Sequence, residues 1–295
     1  MVKEPNPTNR NARRNLLKFS DTLDDLEQRL RTVEGTLGMG TGYIEKILNA
    51  RGLECIPAAP NDRFLQPSPP TTVHLERFYS QLHRYSFRLF LRDILAHRPD
   101  FSMEDCTRYC SPRTATKYLN RLLDLGVIRS DNGQSFRMVN KNVHTFGETL
   151  EWYVAQVFRR EFASPAVWGV KVRHLPPGGD FDVIAEVDRR LVYVEVKSSP
   201  PKGIHLPNVR EFLTRMDILS PDVALFLVDT HLRMENKINV LFRQAVGLPG
   251  SKTKPIRMVS RGVFQAAENI LILNAKPSLI HNIRVSLIHY FRNRE

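Results

Sequence analysis

Two apolar runs, close together in the chain, constrain this sequence more than any other feature. They are Phe181-Asp182-Val183-Ile184-Ala185 and Leu191-Val192-Tyr193-Val194-Glu195-Val196-Lys197, joined by the charged turn Glu186-Val187-Asp188-Arg189-Arg190 and led into by Gly178-Gly179. Val, Ile and Tyr favour strand, so the stretch is expected to form a β-hairpin. Val-rich runs of this kind are typical of strands covered on both faces. Asp182, Glu195 and Lys197 therefore stand out, since charged side chains are rarely buried without partners. A strand has a period of two, which puts Glu195 and Lys197 on one face. Pairing across the hairpin can bring Asp182 alongside them. Two carboxylates meeting at one point repel unless a cation lies between them. A hard, oxygen-liganded divalent ion such as Mg²⁺ is the natural occupant. The ammonium of Lys197 beside it can hold an attacking water. The plain alternative is a surface hairpin with scattered charges.

At these residues the chain resembles the PD-(D/E)xK, or restriction-endonuclease-like, nuclease superfamily: Phe181-Asp182, then Glu195-Val196-Lys197, with Phe181 in place of the proline. The resemblance spans roughly the C-terminal half. It implies an α/β fold, a restriction-endonuclease-like mixed sheet flanked by helices, and a Mg²⁺- or Mn²⁺-dependent phosphodiesterase acting on DNA, with RNA still open. In the family pattern Asp182 and Glu195 hold the metal with the carbonyl of Val196 as a third ligand, and Lys197 positions the water and stabilises developing negative charge. Gly147-Glu148-Thr149-Leu150-Glu151 lies near the start of a helix expected over 145–162, carried by Leu150, Val154, Val157 and Phe158 at helical spacing. Members related to archaeal Holliday-junction resolvases and Mrr-type restriction enzymes show Gly-x-x-x-Glu there, and that glutamate reaches the metal. Glu151 matches it, with Glu148 as the alternative; either can instead be a first-turn acid favoured by the helix dipole. Asp180 is a weaker candidate for the same pocket. The Glu-Val-Lys triplet is closer to the resolvase type than to the Gln-x-Lys of Mrr-like enzymes. Restriction, repair and junction resolution therefore stay open.

Charge agrees with such a partner. The formal net charge is +12 and the pI about 9.8, which favours a polyanion. No apolar run is long enough to span a bilayer and no signal-peptide core is present, so no membrane role is expected. Three cysteines, Cys55, Cys106 and Cys110, fit a reducing, cytoplasmic setting better than a disulfide framework. Cys106 and Cys110 suit one helix face, but lack a second Cys/His pair at zinc spacing and are expected to be core residues.

Four segments are expected. Residues 1–20 form a basic, disordered arm, with Lys3, Arg10, Arg13, Arg14 and Lys18 against Glu4. Residues 21–72 form a helical region and a Pro-rich linker. Its first helix carries the apolar stripe Leu23-Leu26-Leu30-Val33, a candidate surface for a homodimer, and its second runs from Tyr43 to Ala50. Prolines at 57, 60, 67, 69 and 70 mark the linker.

Residues 73–142 are expected to be a winged helix-turn-helix. A broken helix from His74 to His97 is followed by a short one from Ser102. A third is opened by Ser111-Pro112 and stopped by Gly126. The turn Asp131-Asn132-Gly133 between short apolar runs signals a type I′ hairpin. In winged helices the third helix enters the major groove. Arg113, Lys117 and Arg121 recur every four residues on that helix and are the candidate DNA contacts.

Residues 143–295 are expected to be the nuclease domain. Strands are expected at 167–172, 223–228, 256–259 and 270–273, and helices at 208–219, 235–246 and 278–291. Seven basic residues between Arg233 and Arg261, against Glu235, would suit a phosphate-lined rim. The alternative to an endonuclease is a DNA-binding regulator or interaction protein whose nuclease fold is inactive.

Overall fold

The structure is a computed structural model describing residues 41–56, 63–130, 133–173, 180–246 and 255–293. The arm 1–20, the 21–34 helix with its apolar stripe, and the Pro176–Gly179 turn lie outside the described residues. In chain order the elements are α1 (Thr41–Ala50), β1 (Cys55–Ile56), α2 (Thr72–Leu82), α3 (Tyr85–Ala96), β2 (Asp100–Ser102), α4 (Pro112–Asp124), β3 (Ile128–Ser130), β4 (Ser135–Met138), α5 (Gly147–Glu161) and β5 (Ala166–Val172). They continue with β6 (Phe181–Val187), β7 (Arg190–Lys197), α6 (Leu206–Leu219), β8 (Val223–Val228), α7 (Ile238–Val246), β9 (Arg257–Ser260), β10 (Val263–Ala267), β11 (Ile270–Asn274) and α8 (Leu279–Arg292).

The molecule is mixed α/β, built on a large mixed sheet flanked by helices. Eight strands lie in the order β1-β5-β6-β7-β8-β11-β10-β9. The centre, β7-β8-β11, is parallel, and the outer pairs are antiparallel. The strand period of two sorts the side chains. Val192, Val194 and Val196 of β7 join one core with α5 and α8. Leu191 and Tyr193 join the other core with α1, α6 and α7. All six β8 residues are buried, as its unbroken apolar run requires.

Several local signals translate directly. Ser111 caps α4 by accepting from the Thr114 N–H at 3.3 Å, with Pro112 at the first helical position. Gly126 ends that helix at φ +63, and a Cβ there would sit 2.1 Å from the Ser68 carbonyl, so only glycine fits. The helix anticipated at Ser102 is replaced by β2 and a short 3₁₀ turn over Glu104–Cys106. The expected hairpin ladder forms, with Ser130 opposite Phe136, while Asp131 and Asn132 of the expected turn lie outside the described residues. The strand β10 had no clear signal, because Val263–Ala267 is short and interrupted by Gln265.

The Pro-rich segment does not hang free where it is described. Phe64 and Leu65 are buried, Phe64 stacks on Trp152 at 5.2 Å, and the Leu65 N–H donates to Thr149 Oγ1 at 3.0 Å. The helices α2, α3 and α4, with the small sheet β2-β4-β3, share a continuous buried cluster with α5 and one face of the large sheet. A buried ion cluster ties α3 to the end of β8. Arg88 donates to both Asp229 oxygens, Nη2 at 2.7 Å and Nε at 2.9 Å, and Arg92 joins them. Burial would raise the Asp229 carboxyl, but the two guanidiniums outweigh it and hold it below the usual carboxylate range.

Candidate functional site

The β6/β7 ladder ends at Val183 opposite Val194. By the same register the next residues across the hairpin are Asp182 and Glu195, at the mouth where the two strands part. Asp182 Oδ2 accepts the Val196 N–H at 2.7 Å. Glu195 is fully buried, and Lys197 Nζ lies 2.7 Å from its Oε1. The pairing anticipated from the sequence thus brings Asp182, Glu195 and Lys197 to one place. For Val196 the observed contact is its N–H on Asp182.

Glu151 arrives from α5, on the other side of the sheet, with its carboxyl against Gly169 of β5. Gly169 has φ +60, so this point of the strand has no side chain and a backbone that L residues rarely adopt. Burial, then the charges of Asp182, Asp180, Glu148 and Glu195, hold the Glu151 carboxyl well above its ordinary range. Glu148 is partly exposed and lies 3.9 Å from Arg63. The Asp182 carboxyl is pushed up to about 8 by burial and then by Glu195, while the Val196 N–H, Lys197 and Arg215 pull the other way. These carboxylates crowd one another in a half-buried mouth, where full ionisation is unfavourable without added positive charge.

Two residues at this place were not singled out from the sequence. Arg215 of α6 sets Nη1 at 2.9 Å and 3.0 Å from the two Glu195 oxygens. Tyr193 donates its hydroxyl to Glu195 Oε2. The signal for Arg215 was present: Val209, Phe212 and Leu219 form the buried stripe of α6, and Arg215 falls one turn after Phe212. A guanidinium on that stripe must have a buried partner. Burial works against the charges of Lys197 and Arg215, but Glu195 outweighs it and raises both. Among the described residues no three His, Cys, Asp or Glu side chains form a ready-made metal cage. Cys106 is buried and its thiol donates to the Ser102 carbonyl, while that of Cys110 donates to the Cys106 carbonyl.

On α4, Arg113 and Lys117 are exposed. Arg121 is partly covered and donates to Gln81 Oε1 of α2. No helix among the described residues is long and apolar enough to cross a membrane.

No family model and no curated protein matches the chain. Among the solved structures that resemble it are two. One is protein VC1899 from Vibrio cholerae, at 18% identity and TM-score 0.42, over 68% of this chain and 55% of that one. The other is Can2 from Sulfobacillus thermosulfidooxidans, solved with cyclic tetra-adenylate, at 10% identity and TM-score 0.45, over 82% of this chain and 60% of that one. The chain thus spans little more than half the length of either, and at those scores neither lends it a residue role.

Proposed function

We propose that the chain is a metal-dependent endonuclease of the PD-(D/E)xK type that hydrolyses phosphodiester bonds in DNA. The observation that carries the reading is the meeting of Asp182, Glu195, Lys197 and Glu151 where the β6/β7 hairpin opens, with Glu195 buried and fixed by Arg215 and Tyr193. The donor set fits a hard divalent ion: oxygen atoms only, on carboxylates that crowd one another and gain from a cation between them. Asp182, Glu195 and Glu151, with the Val196 carbonyl, would hold Mg²⁺ or Mn²⁺. When bound, the ion supplies a Lewis acid that neutralises charge on the scissile phosphate.

The chain's own residues do the rest. The Val196 N–H keeps the Asp182 carboxylate aimed into the mouth. Arg215 and Tyr193 hold Glu195 in one orientation. Lys197, oriented by Glu195, places its ammonium where it can hold the attacking water and stabilise charge that develops in the transition state. The helical unit over 73–142 serves as a winged helix-turn-helix, with Arg113 and Lys117 of α4 facing the duplex. One such site cuts one strand, so double-strand cleavage takes two copies, a homodimer being the simplest arrangement.

The test is to incubate the protein with plasmid, branched and methylated DNA in Mg²⁺, Mn²⁺ or EDTA. Cleavage in metal that stops in EDTA is the expected result. Cutting undiminished in EDTA overturns the metal mechanism, and no nicking of any DNA or RNA with any divalent ion overturns the enzyme. A second reading rests on the same network: Lys197 and Arg215 already neutralise Glu195, as in a structural ion cluster. A DNA-binding regulator of that kind would bind duplex and cut nothing.

A further inference from the structure

Strand β8 lies between β7 and β11, parallel to both, and past the carboxyl ends of β8 and β11 lies a second cavity of about 460 Å³. Its walls include His231, Arg233, Arg261, Asn274 and Lys276, with Glu235 as the acidic member. Three separate loops contribute to it, and backbone bonds stitch them together. The Ala275 N–H donates to the Thr230 carbonyl at 3.0 Å, and the Asn274 N–H to the Gly262 carbonyl at 2.9 Å. Asn274 Nδ2 reaches the Leu232 carbonyl at 3.4 Å. The fully buried Asn282 donates to the Asn274 carbonyl at 2.7 Å and the Lys276 carbonyl at 3.0 Å. Gly262 is required for this closeness: at φ +84, a Cβ would lie 2.3 Å from Asn274 Oδ1 and 2.8 Å from the Lys276 carbonyl.

The cations are therefore held on a rigid concave frame. Arg233, Arg261 and Lys276 are exposed, and none makes an ion pair among the described residues. The Glu235 carboxylate instead accepts the Met234 N–H at 2.9 Å. Three cations against the one carboxylate of Glu235 leave the wall net positive, which suits an anion, and a cavity of this size accommodates a sugar-phosphate unit. The position indicates which anion. The Asp229 N–H donates to the Lys197 carbonyl at 2.9 Å, so one step along the sheet edge separates the end of β7 from the start of this wall. On the other side the His231 ring stacks on Tyr85 of α3 at 3.8 Å.

We infer that this cavity is a phosphate-binding subsite that grips the sugar-phosphate backbone of a nucleic-acid strand leading away from Asp182, Glu195 and Lys197. The placement rests on the nuclease reading, whereas the anion site stands on the cavity itself. Two like-for-like measurements test it: anisotropy of labelled DNA across a KCl series, and thermal shift with AMP or inorganic phosphate. The variants are Arg233→Ala/Arg261→Ala/Lys276→Ala, Arg233→Glu as a milder change, and Lys46→Ala as a basic residue on the distant helix α1. The triple variant is expected to bind DNA at least tenfold more weakly, with a salt slope shallower by about two units, as expected when two or three phosphates are no longer neutralised. Lys46→Ala should leave affinity unchanged. Weakened binding in a wild type that cuts nothing sustains the subsite and removes the nuclease reading. Wild-type affinity and slope in both pocket variants, or no DNA binding by the wild type, overturns the subsite. A thermal shift with AMP that the triple variant loses, with DNA affinity unchanged, also overturns it, since the cavity would then serve a free nucleotide.

Discussion

Glu195 has no solvent exposure and is engaged at once by Tyr193, Lys197 and Arg215. Removing a partner from a buried ion pair costs up to roughly 3–5 kcal/mol, and less here because Lys197 still faces the Glu195 carboxylate when Arg215 is gone. Arg215→Ala should therefore lower the unfolding midpoint and also release Glu195 from its orientation. We expect cleavage to fall by about two orders of magnitude, the usual scale for losing one transition-state stabiliser or its support. Arg215→Lys keeps the charge but not the forked geometry, so it should recover stability more fully than rate. If Arg215→Ala cuts like wild type, the arginine is structural only. Asp182→Asn tests the metal more directly. It removes a crowded, half-buried carboxylate, so the fold should persist while Mn²⁺-induced thermal stabilisation disappears. An unchanged Mn²⁺ shift would exclude Asp182 as a ligand. Lys197→Ala should leave DNA affinity within a few-fold, since one lysine is a small share of the many phosphate interactions along a duplex.

At the scale of the element, α4 was legible from its cap, its N1 proline and its terminal glycine. All three are local signals that act within a few residues. What periodicity could not supply was which of its three basic residues are free. Arg121 lies beside Gln81 of α2 and bonds to it, whereas Arg113 and Lys117 face solvent. Alanine at Arg113 and Lys117 together should weaken DNA binding across all sequences and flatten the salt slope by about one unit for each phosphate left unneutralised. Alanine at Arg121 should do less. Equal affinity in the double variant would make α4 a protein-binding surface. Gly126→Ala is expected to abolish folding of this unit, because positive φ and a collision with the Ser68 carbonyl coincide.

At the scale of the molecule, the Arg88–Asp229–Arg92 cluster joins the helical unit to the sheet beside the carboxyl end of β7. Its carboxylate is held below the ordinary range, so the folded state binds its proton less tightly than the unfolded chain does. The cluster's stabilisation is thus present above the unfolded carboxylate value of about 4 and lost as pH falls through the folded value. Unfolding free energies from urea titrations of wild type and Asp229→Asn should differ most near neutral pH, by roughly 3–5 kcal/mol, and converge below about pH 4. A gap that stays constant to about pH 3 would rule out the ionised cluster as its source.

The sequence by itself determined what depends on neighbours a few residues away. Strand runs at β6, β7 and β8, the helix cap at α4, and the co-facial placement of Glu195 and Lys197 follow from periods of two and 3.6 and from backbone-specific residues. The proximity of Asp182 to Glu195 was also within reach, because a hairpin's register couples residues across a short turn. Only the tertiary structure decided the rest. Arg215 is 20 residues from its carboxylate, and Asp229 is 141 residues from Arg88. The subsite cations Arg233, Arg261 and Lys276 come together through the order of β8, β11 and β10 in the sheet. Such pairings are set by how strands are arranged and faces covered, and neither is encoded in the spacing of residues along one segment.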